Sequence, residues 1–117
     1  MPAPAPKTPV KDSSHLYEVE RRARHCVREG FRITELTLSA TQSVPWHTHT
    51  HVSDTFYVLE GAMRLYLQNP KETVELLPAQ IYQVAPGRPH LVTNASDSAM
   101  TFLVLQGVGE YDYVPMV

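Results

Sequence analysis

The sequence predicts an all-β fold built as an antiparallel sandwich or barrel. Short segments of alternating apolar and polar residues, rich in β-branched and aromatic side chains, recur along the chain after Gly30. Turn-forming pairs such as Glu60-Gly61 and Asn69-Pro70 separate these segments, as is typical of short strands joined by tight turns. About eight to ten such strands leave little room for helices, so the pattern disfavours a parallel α/β sheet.

The chain divides into a short leader and one domain. Residues 1–14 hold four of the ten prolines and almost nothing that could enter a core, which predicts a disordered, proline-rich leader. Residues 15–117 are long enough to bury one hydrophobic core, so we expect a single barrel domain. The only cysteine, Cys26, cannot form an intrachain disulfide, and a cytoplasmic protein is therefore the default expectation.

The segment before the steady β pattern is ambiguous. Residues 15–28 suit either a helical face or an edge strand, and we favour a strand or a short turn. The basic run of Arg21, Arg22 and Arg24 is typical of a solvated edge that prevents unwanted strand pairing. Anion binding is the alternative interpretation of this run.

The strands that follow are predicted from period-two alternation. Phe31 and Ile33 alternate in one parity and Leu36 and Leu38 in the other, which predicts a bulge or twist near residues 34–35. The tail of residues 107–117 is expected to fold back over a barrel edge. Further strands are predicted over residues 55–59, 63–67, 73–77, 81–84, 90–94 and 100–106.

A histidine cluster is the clearest functional signal. His47, His49 and His51 are separated from one another by single threonines, and side chains at alternate positions of a strand project from the same face. With Asp54 close by, these imidazoles are natural ligands for a divalent transition metal. A rigid site needs ligands from a second strand, and His90, at the start of a later predicted strand, is expected to supply one.

The first histidine segment resembles a motif of the cupin superfamily. In that motif three or four residues separate a His-x-His pair from a Glu, and six residues separate that Glu from a Gly. His47, His49 and Gly61 fit this spacing, with Asp54 in the position of Glu.

The second segment resembles the other cupin motif, in which Gly and Pro-x-Gly precede a His and an Asn. Gly87, His90 and Asn94 match it, while Ala79 replaces the first Gly and Ala85 replaces the Pro. The resemblance covers roughly residues 30–106.

This resemblance implies a double-stranded β-helix, or jelly roll, that commonly pairs into dimers. It also implies one divalent transition metal ion per chain, namely iron, manganese, nickel, zinc or copper, held by His47, His49, Asp54 and His90. Because aspartate is shorter than glutamate by one methylene, roughly 1.5 Å, Asp54 is expected to bind directly or through water. His51 is the alternative ligand.

Several side chains are candidates for the substrate pocket. Phe56 shares the strand parity of Asp54 and is expected to line the barrel near the metal. Asn94 is expected to hold its strand or to bond a ligand carboxylate. The remaining candidates are Trp46, Arg64, Tyr66 and Tyr82.

These observations favour a metal-dependent enzyme acting on a small polar organic molecule that chelates the metal through oxygen. Dioxygenation is the first reaction type we expect, followed by isomerisation or lyase chemistry. The alternative is a non-catalytic metal-containing barrel that binds or senses a ligand. A formal charge of −2 argues against nucleic acid as a partner, and apolar runs are too short to span a membrane. Apolar outer faces near Tyr57 and Leu59 predict a homodimer.

Overall fold

The computed structural model describes residues 13–116, in which ten β-strands and no α-helix are present. No helix among these residues therefore has the length and apolar character needed to cross a bilayer. The strands, in chain order, are β1 (Arg21–Arg28), β2 (Phe31–Leu38), β3 (Ser43–Thr48), β4 (Ser53–Glu60), β5 (Met63–Leu67), β6 (Glu72–Leu76), β7 (Ile81–Val84), β8 (His90–Asn94), β9 (Met100–Gly107) and β10 (Val114–Pro115).

The strands form two five-stranded antiparallel sheets. One sheet has the order β1-β2-β9-β4-β7 and the other β10-β3-β8-β5-β6. Strands distant in sequence are neighbours in both sheets, as in a double-stranded β-helix. The predicted all-β jelly-roll architecture is therefore confirmed.

The hydrophobic core lies between the inner faces of the two sheets. Alternate residues of β5 and β9 are buried, which places Leu65 and Phe102 at 0% exposure while their neighbours in sequence face outward. This is the period-two pattern from which the strands were predicted. The buried apolar cluster also includes Leu38, Val58, Met63, Leu67, Met100, Val84 and Val92.

The bulge predicted near residues 34–35 was assigned to the wrong strand. β2 pairs with β9 in unbroken register from Phe31 to Leu38, and the irregularity lies opposite, in β1 between Arg24 and Cys26. The change of hydrophobic parity has another cause: Arg32 and Thr34 share the inner face with Leu36 and line a cavity. Because these inner-face residues are polar, the apolar pattern changed along β2 although the register did not shift.

Two turn positions require a left-handed backbone. Gly61 has a φ of +86°, and a Cβ there would lie 3.0 Å from the Cα of Met100, so only glycine fits without strain. Ala79, which occupies the place of a motif glycine, has a φ of 71°. The backbone at residue 79 keeps the conformation that favours glycine although the side chain has changed.

The predicted leader, residues 1–14, lies outside the described residues except for Ser13 and Ser14. Ser13 is buried, and its hydroxyl oxygen accepts a hydrogen bond from the Tyr111 hydroxyl over 2.9 Å. The C-terminal tail folds back as expected, with β10 pairing with β3.

Candidate metal centre

Three histidines and one aspartate meet at one end of the barrel. His47 lies in β3, directly opposite His90 at the start of β8, and Asp54 enters from β4 in the facing sheet. His49 follows the end of β3. All four side chains are buried, at 1–2% exposure.

A local irregularity in β3 directs His47 inward. The register between β3 and β8 shifts between Val44 and His47. In an unbroken strand the inner face that carries Val44 would next carry Trp46, since side chains alternate. The bulge reverses this parity, so His47 is buried and Trp46 is only half-buried.

The potential ligand atoms converge closely. The Nε2 atoms of His49 and His90 each lie 2.9 Å from Oδ2 of Asp54, and Nε2 of His47 lies 3.9 Å from the same oxygen. One donor atom from each of the four residues lies within 4.8 Å of all the others. Ligands about 2.0–2.2 Å from a common zinc-like ion are separated by comparable distances.

The backbone fixes which imidazole nitrogen faces the cluster. Nδ1 of His47 is 2.6 Å from the carbonyl oxygen of Pro45, and Nδ1 of His90 is 2.9 Å from that of Arg88. Nδ1 of His49 contacts the carbonyl oxygen of Asp112. A carbonyl only accepts hydrogen bonds, so each Nδ1 carries a proton and each neutral imidazole presents the lone pair of Nε2 to the centre.

Burial and mutual attraction act in opposite directions on the charges of these side chains. Burial opposes the charge on Asp54, but the positive charge of His49, together with hydrogen bonds that the surrounding imidazoles donate in their protonated form, outweighs it and holds the pKa of this carboxyl well below its ordinary value. Burial similarly opposes the charge on His49, yet Asp54 and the Asp112 carbonyl raise its pKa. Burial lowers the pKa of His47, so that imidazole favours its neutral form.

The donor set fits a divalent metal ion. Three imidazole rings with centroids 4.2–5.6 Å apart would repel one another if all were protonated in this buried place. If neutral, they direct lone pairs at one another and at a carboxylate. One divalent cation satisfies all four donors, and nitrogen plus oxygen ligands suit the transition metals.

Gln106 completes the polar cluster and was not anticipated from the sequence. Its Nε2 donates to Oδ1 of Asp54 over 2.8 Å, which leaves Oδ2 facing the imidazoles. Gln106 pairs with Asp54 across β9 and β4. The sequence did contain a signal. Gln106 alternates with Val104 and Phe102 and so belongs to the buried face of its strand, where a glutamine needs a polar partner.

An open cavity leads to the cluster. Its volume is about 510 Å³, counting the solvent space at its mouth, and Phe56 lies in its wall as expected. Tyr113 stacks on the His47 ring at a centroid distance of 4.3 Å, and Tyr111 lies 5.5 Å from the His49 ring. Both tyrosines come from the returning tail. The other lining residues of note are Arg22, Arg24, Arg32, Thr34 and Tyr17.

The solvated-edge interpretation of the basic run holds for Arg21 and Arg24, which are exposed on an edge strand, and is wrong for Arg22, which is half-buried. Arg21 points outward and pairs with Glu35, whereas Arg22 and Arg24 line the cavity. Alternation along β1 separates the two groups.

Other predicted residues are not brought to this cavity. His51 is exposed, because β3 ends at Thr48 and the chain bends before reaching it. Arg64 and Tyr66 lie on the outer face of β5, where Arg64 pairs with Glu75 over 2.6 Å.

Three further candidates also have other surroundings. The Tyr82 hydroxyl donates to Glu72 over 2.6 Å. The Asn94 amide donates to the carbonyl oxygens of Leu38 and Ser98. Trp46 does not line the cavity, and its carbonyl accepts a hydrogen bond from the Met116 amide.

Together, the fold and the cluster define a jelly-roll barrel with a buried three-histidine, one-carboxylate centre suited to a metal ion. The chain belongs to the cupin domain family, whose model matches residues 34–112. No curated protein matches the sequence.

Solved structures share this fold at low sequence identity. An uncharacterised double-stranded β-helix protein from Klebsiella pneumoniae is 16% identical, with a TM-score of 0.72 over 95% of this chain and 100% of that one. The cupin domain of Schizosaccharomyces pombe Cnp3 is 14% identical, with a TM-score of 0.69 over 79% of this chain and 69% of that one. The Lactobacillus farciminis oxalate decarboxylase is 13% identical, with a TM-score of 0.68 over 75% of this chain and 27% of that one.

Proposed function

We propose that this protein is a metal-dependent enzyme that acts on a small polar organic molecule able to chelate the metal through oxygen atoms. The observation that carries the proposal is the convergence of three Nε2 atoms and one carboxylate within 4.8 Å at the inner end of an open cavity. Dioxygenation is the first reaction type to test, followed by isomerisation or lyase chemistry.

In this proposal His47, His49, His90 and Asp54 hold the ion. A bound divalent metal would supply Lewis-acid polarisation and, for a redox-active ion, electron transfer. The backbone carbonyls behind each Nδ1 keep the imidazoles oriented. In this proposal Asp54 is a direct ligand of the metal ion. Gln106 fixes the rotation of its carboxylate.

The cavity walls determine which molecules reach the centre. Apolar side chains such as Phe56 and Phe102 exclude water from one side. Burial raises the pKa of Tyr111 to about 12, so its phenol stays neutral near pH 7. Its hydroxyl donates a hydrogen bond to Ser13, so Tyr111 forms an uncharged part of the wall beside His49.

The test combines metal analysis with turnover. Protein purified without chelator is expected to contain about one transition metal ion per chain by mass spectrometry, and oxygen uptake or product formation from small hydroxy- or keto-acids should stop after the metal is removed. Protein that neither contains metal nor binds added iron, manganese, nickel, zinc or copper contradicts the proposal.

A second candidate is a non-catalytic barrel that binds or senses a ligand at the metal. Among the described lining residues, Asp54 is the only carboxylate, and both histidines belong to the cluster, so no separate carboxylate or imidazole is available as a general base. Sustained turnover of any compound, demonstrated by product accumulation, excludes this candidate.

We also propose that the protein is a cytoplasmic homodimer. Leu59 is 42% exposed at the end of β4 and Ile81 is 60% exposed on the adjoining β7, and pairing would remove this apolar surface from water. Sedimentation at increasing concentration is expected to show a dimer. A persistent monomer contradicts this assembly.

A further inference from the structure

Three guanidinium groups line the cavity beside the His-Asp cluster. Arg22 and Arg24 project into it from β1, and Arg32 projects from the adjoining β2. The pairing of Arg22 with Leu36 and of Arg24 with Thr34 places these side chains on the inner face of the first sheet. Arg22 and Arg32 are half-buried there, while Arg24 lines the cavity from an exposed position.

Arg22 has a buried donor without a partner. Its Nη2 atom is shielded from solvent and is the one buried side-chain nitrogen or oxygen among residues 13–116 that lacks a hydrogen bond. The Arg22 guanidinium lies 5.2 Å from the centre of the Tyr17 ring, a contact that uses the face of the guanidinium and not its N–H groups. Leaving a charged donor unpaired in a buried place is costly, so an acceptor that enters the cavity and reaches the Arg22 guanidinium would be stabilised.

The charges of the lining favour an anion as that acceptor. Three arginines line the cavity against one carboxylate, Asp54. That carboxylate already accepts a hydrogen bond from Gln106, and one of its oxygens lies 2.9 Å from Nε2 of two imidazoles. Positively charged groups in a concave site concentrate anions, and a bound metal ion would add to this effect.

We propose that the cavity binds a small organic anion, with the carboxylate of the ligand accepting hydrogen bonds from Arg22 while a second oxygen group of the same molecule faces the His-Asp cluster. Guanidinium matches carboxylate in a planar, two-bond geometry. This inference names the substrate class of the proposed function and rests on that function for the role of the metal.

Malonate is a suitable probe because it carries two carboxylates, one for each end of the site, and malonamide is its neutral counterpart. Calorimetry on metal-loaded wild-type protein is expected to detect malonate binding and no malonamide binding. Arg22→Gln should weaken malonate binding at least about 10-fold, as expected for a charged hydrogen bond. Arg22→Lys should give an intermediate loss.

Arg21→Gln is the matched control, because Arg21 precedes Arg22 on the same strand but pairs outward with Glu35. Its malonate affinity should stay within about two-fold of wild type, since exposed ion pairs contribute little. Thermal unfolding and metal content are measured on every variant. If Arg22→Gln does not fold, Arg22→Lys provides the comparison.

Equal malonate affinity in wild type and in a folded Arg22 variant overturns the anion site, as does equal binding of malonate and malonamide by the wild type. These results are separable from failure of the proposed enzyme. Protein that binds malonate through Arg22 but turns over no substrate contradicts only the catalytic proposal, and metal-bound protein with active turnover but no Arg22 dependence contradicts only this inference.

Discussion

The two ends of the barrel interior are built by the same strands but have opposite chemistry. β4 carries Asp54 at one end and buried Val58 toward the other, and β9 carries Gln106 at one end and buried Met100 at the other. The apolar end excludes water and stabilises the fold. The polar end buries histidines and a carboxylate, which oppose burial unless they are paired.

The residues that stabilise the fold and the residues of the candidate site therefore lie at opposite ends of the same strands, and not in separate domains. A core composed only of apolar residues would gain hydrophobic stabilisation at both ends. The chain instead retains a buried polar cluster, which one cation would satisfy. The following changes test that separation, from the largest expected effect to the smallest.

Removing a ligand at the polar end should have the largest effect on metal binding. His90→Ala deletes one of the converging Nε2 atoms, so affinity for zinc is expected to fall by more than the roughly 100-fold seen when groups that merely orient ligands are lost. Equilibrium titration with a competing chelator measures this loss. The exposed His51→Ala is the control, and equal losses in the two variants would show that the cluster is not the metal site.

Removing a side chain at the apolar end should affect stability instead. Leu65 is 0% exposed, and Leu65→Ala is expected to lower the free energy of unfolding by about 2–5 kcal/mol through lost burial and a cavity. Denaturant unfolding of metal-free protein measures the change. Metal stoichiometry of the folded variant should remain as in wild type.

Leu91→Ala serves as its control, since Leu91 is only half-buried on the outer face of β8. This variant should lose clearly less stability than Leu65→Ala. Equal losses would mean that the interior assigned to the apolar end does not dominate the stability of the barrel.

A residue that orients a ligand should have an intermediate effect. Gln106→Leu removes the hydrogen bond to Oδ1 of Asp54 and is expected to weaken metal binding by about 10–100-fold without unfolding the protein. The same zinc titration applies. Gln83→Leu, at an exposed position of β7, should bind metal like wild type, and an unchanged Gln106 variant would remove this residue from the site.

The smallest effect is expected at an exposed turn. Ala79 has a φ of 71°, so Ala79→Gly should relieve backbone strain and raise the free energy of unfolding by up to about 1 kcal/mol. Ala85→Gly, without a positive φ, should be neutral or destabilising. Chemical denaturation compares the two, and a destabilised Ala79→Gly protein would contradict the strain argument.

The sequence alone predicted the apolar end more completely than the polar end. Alternation of Met63 and Leu65 marked both the strand and its buried face, because apolar side chains there report the core directly. At the polar end the same rule failed for Arg32 and Thr34, which lie on the inner face, and the change of pattern there was interpreted as a bulge or twist.

Long-range contacts account for the rest of what could not be predicted. The spacing of His47, His49, Asp54 and His90 was sufficient to anticipate a shared centre, and the structure brings these four together. The covering by Tyr113 and the β3 bulge depend on pairing between strands distant in sequence, which no local pattern reveals. His51 follows the same local spacing as its neighbours and separates from them only because the strand ends.

The central claim is that one cation joins the three imidazoles and Asp54 at the polar end. Anomalous diffraction at the absorption edge of the metal found in the purified protein tests it most directly. One peak about 2.0–2.2 Å from Nε2 of His47, His49 and His90 and from an oxygen of Asp54 is the predicted result. Fully occupied metal elsewhere, with these four side chains hydrogen-bonded only to one another, would contradict it.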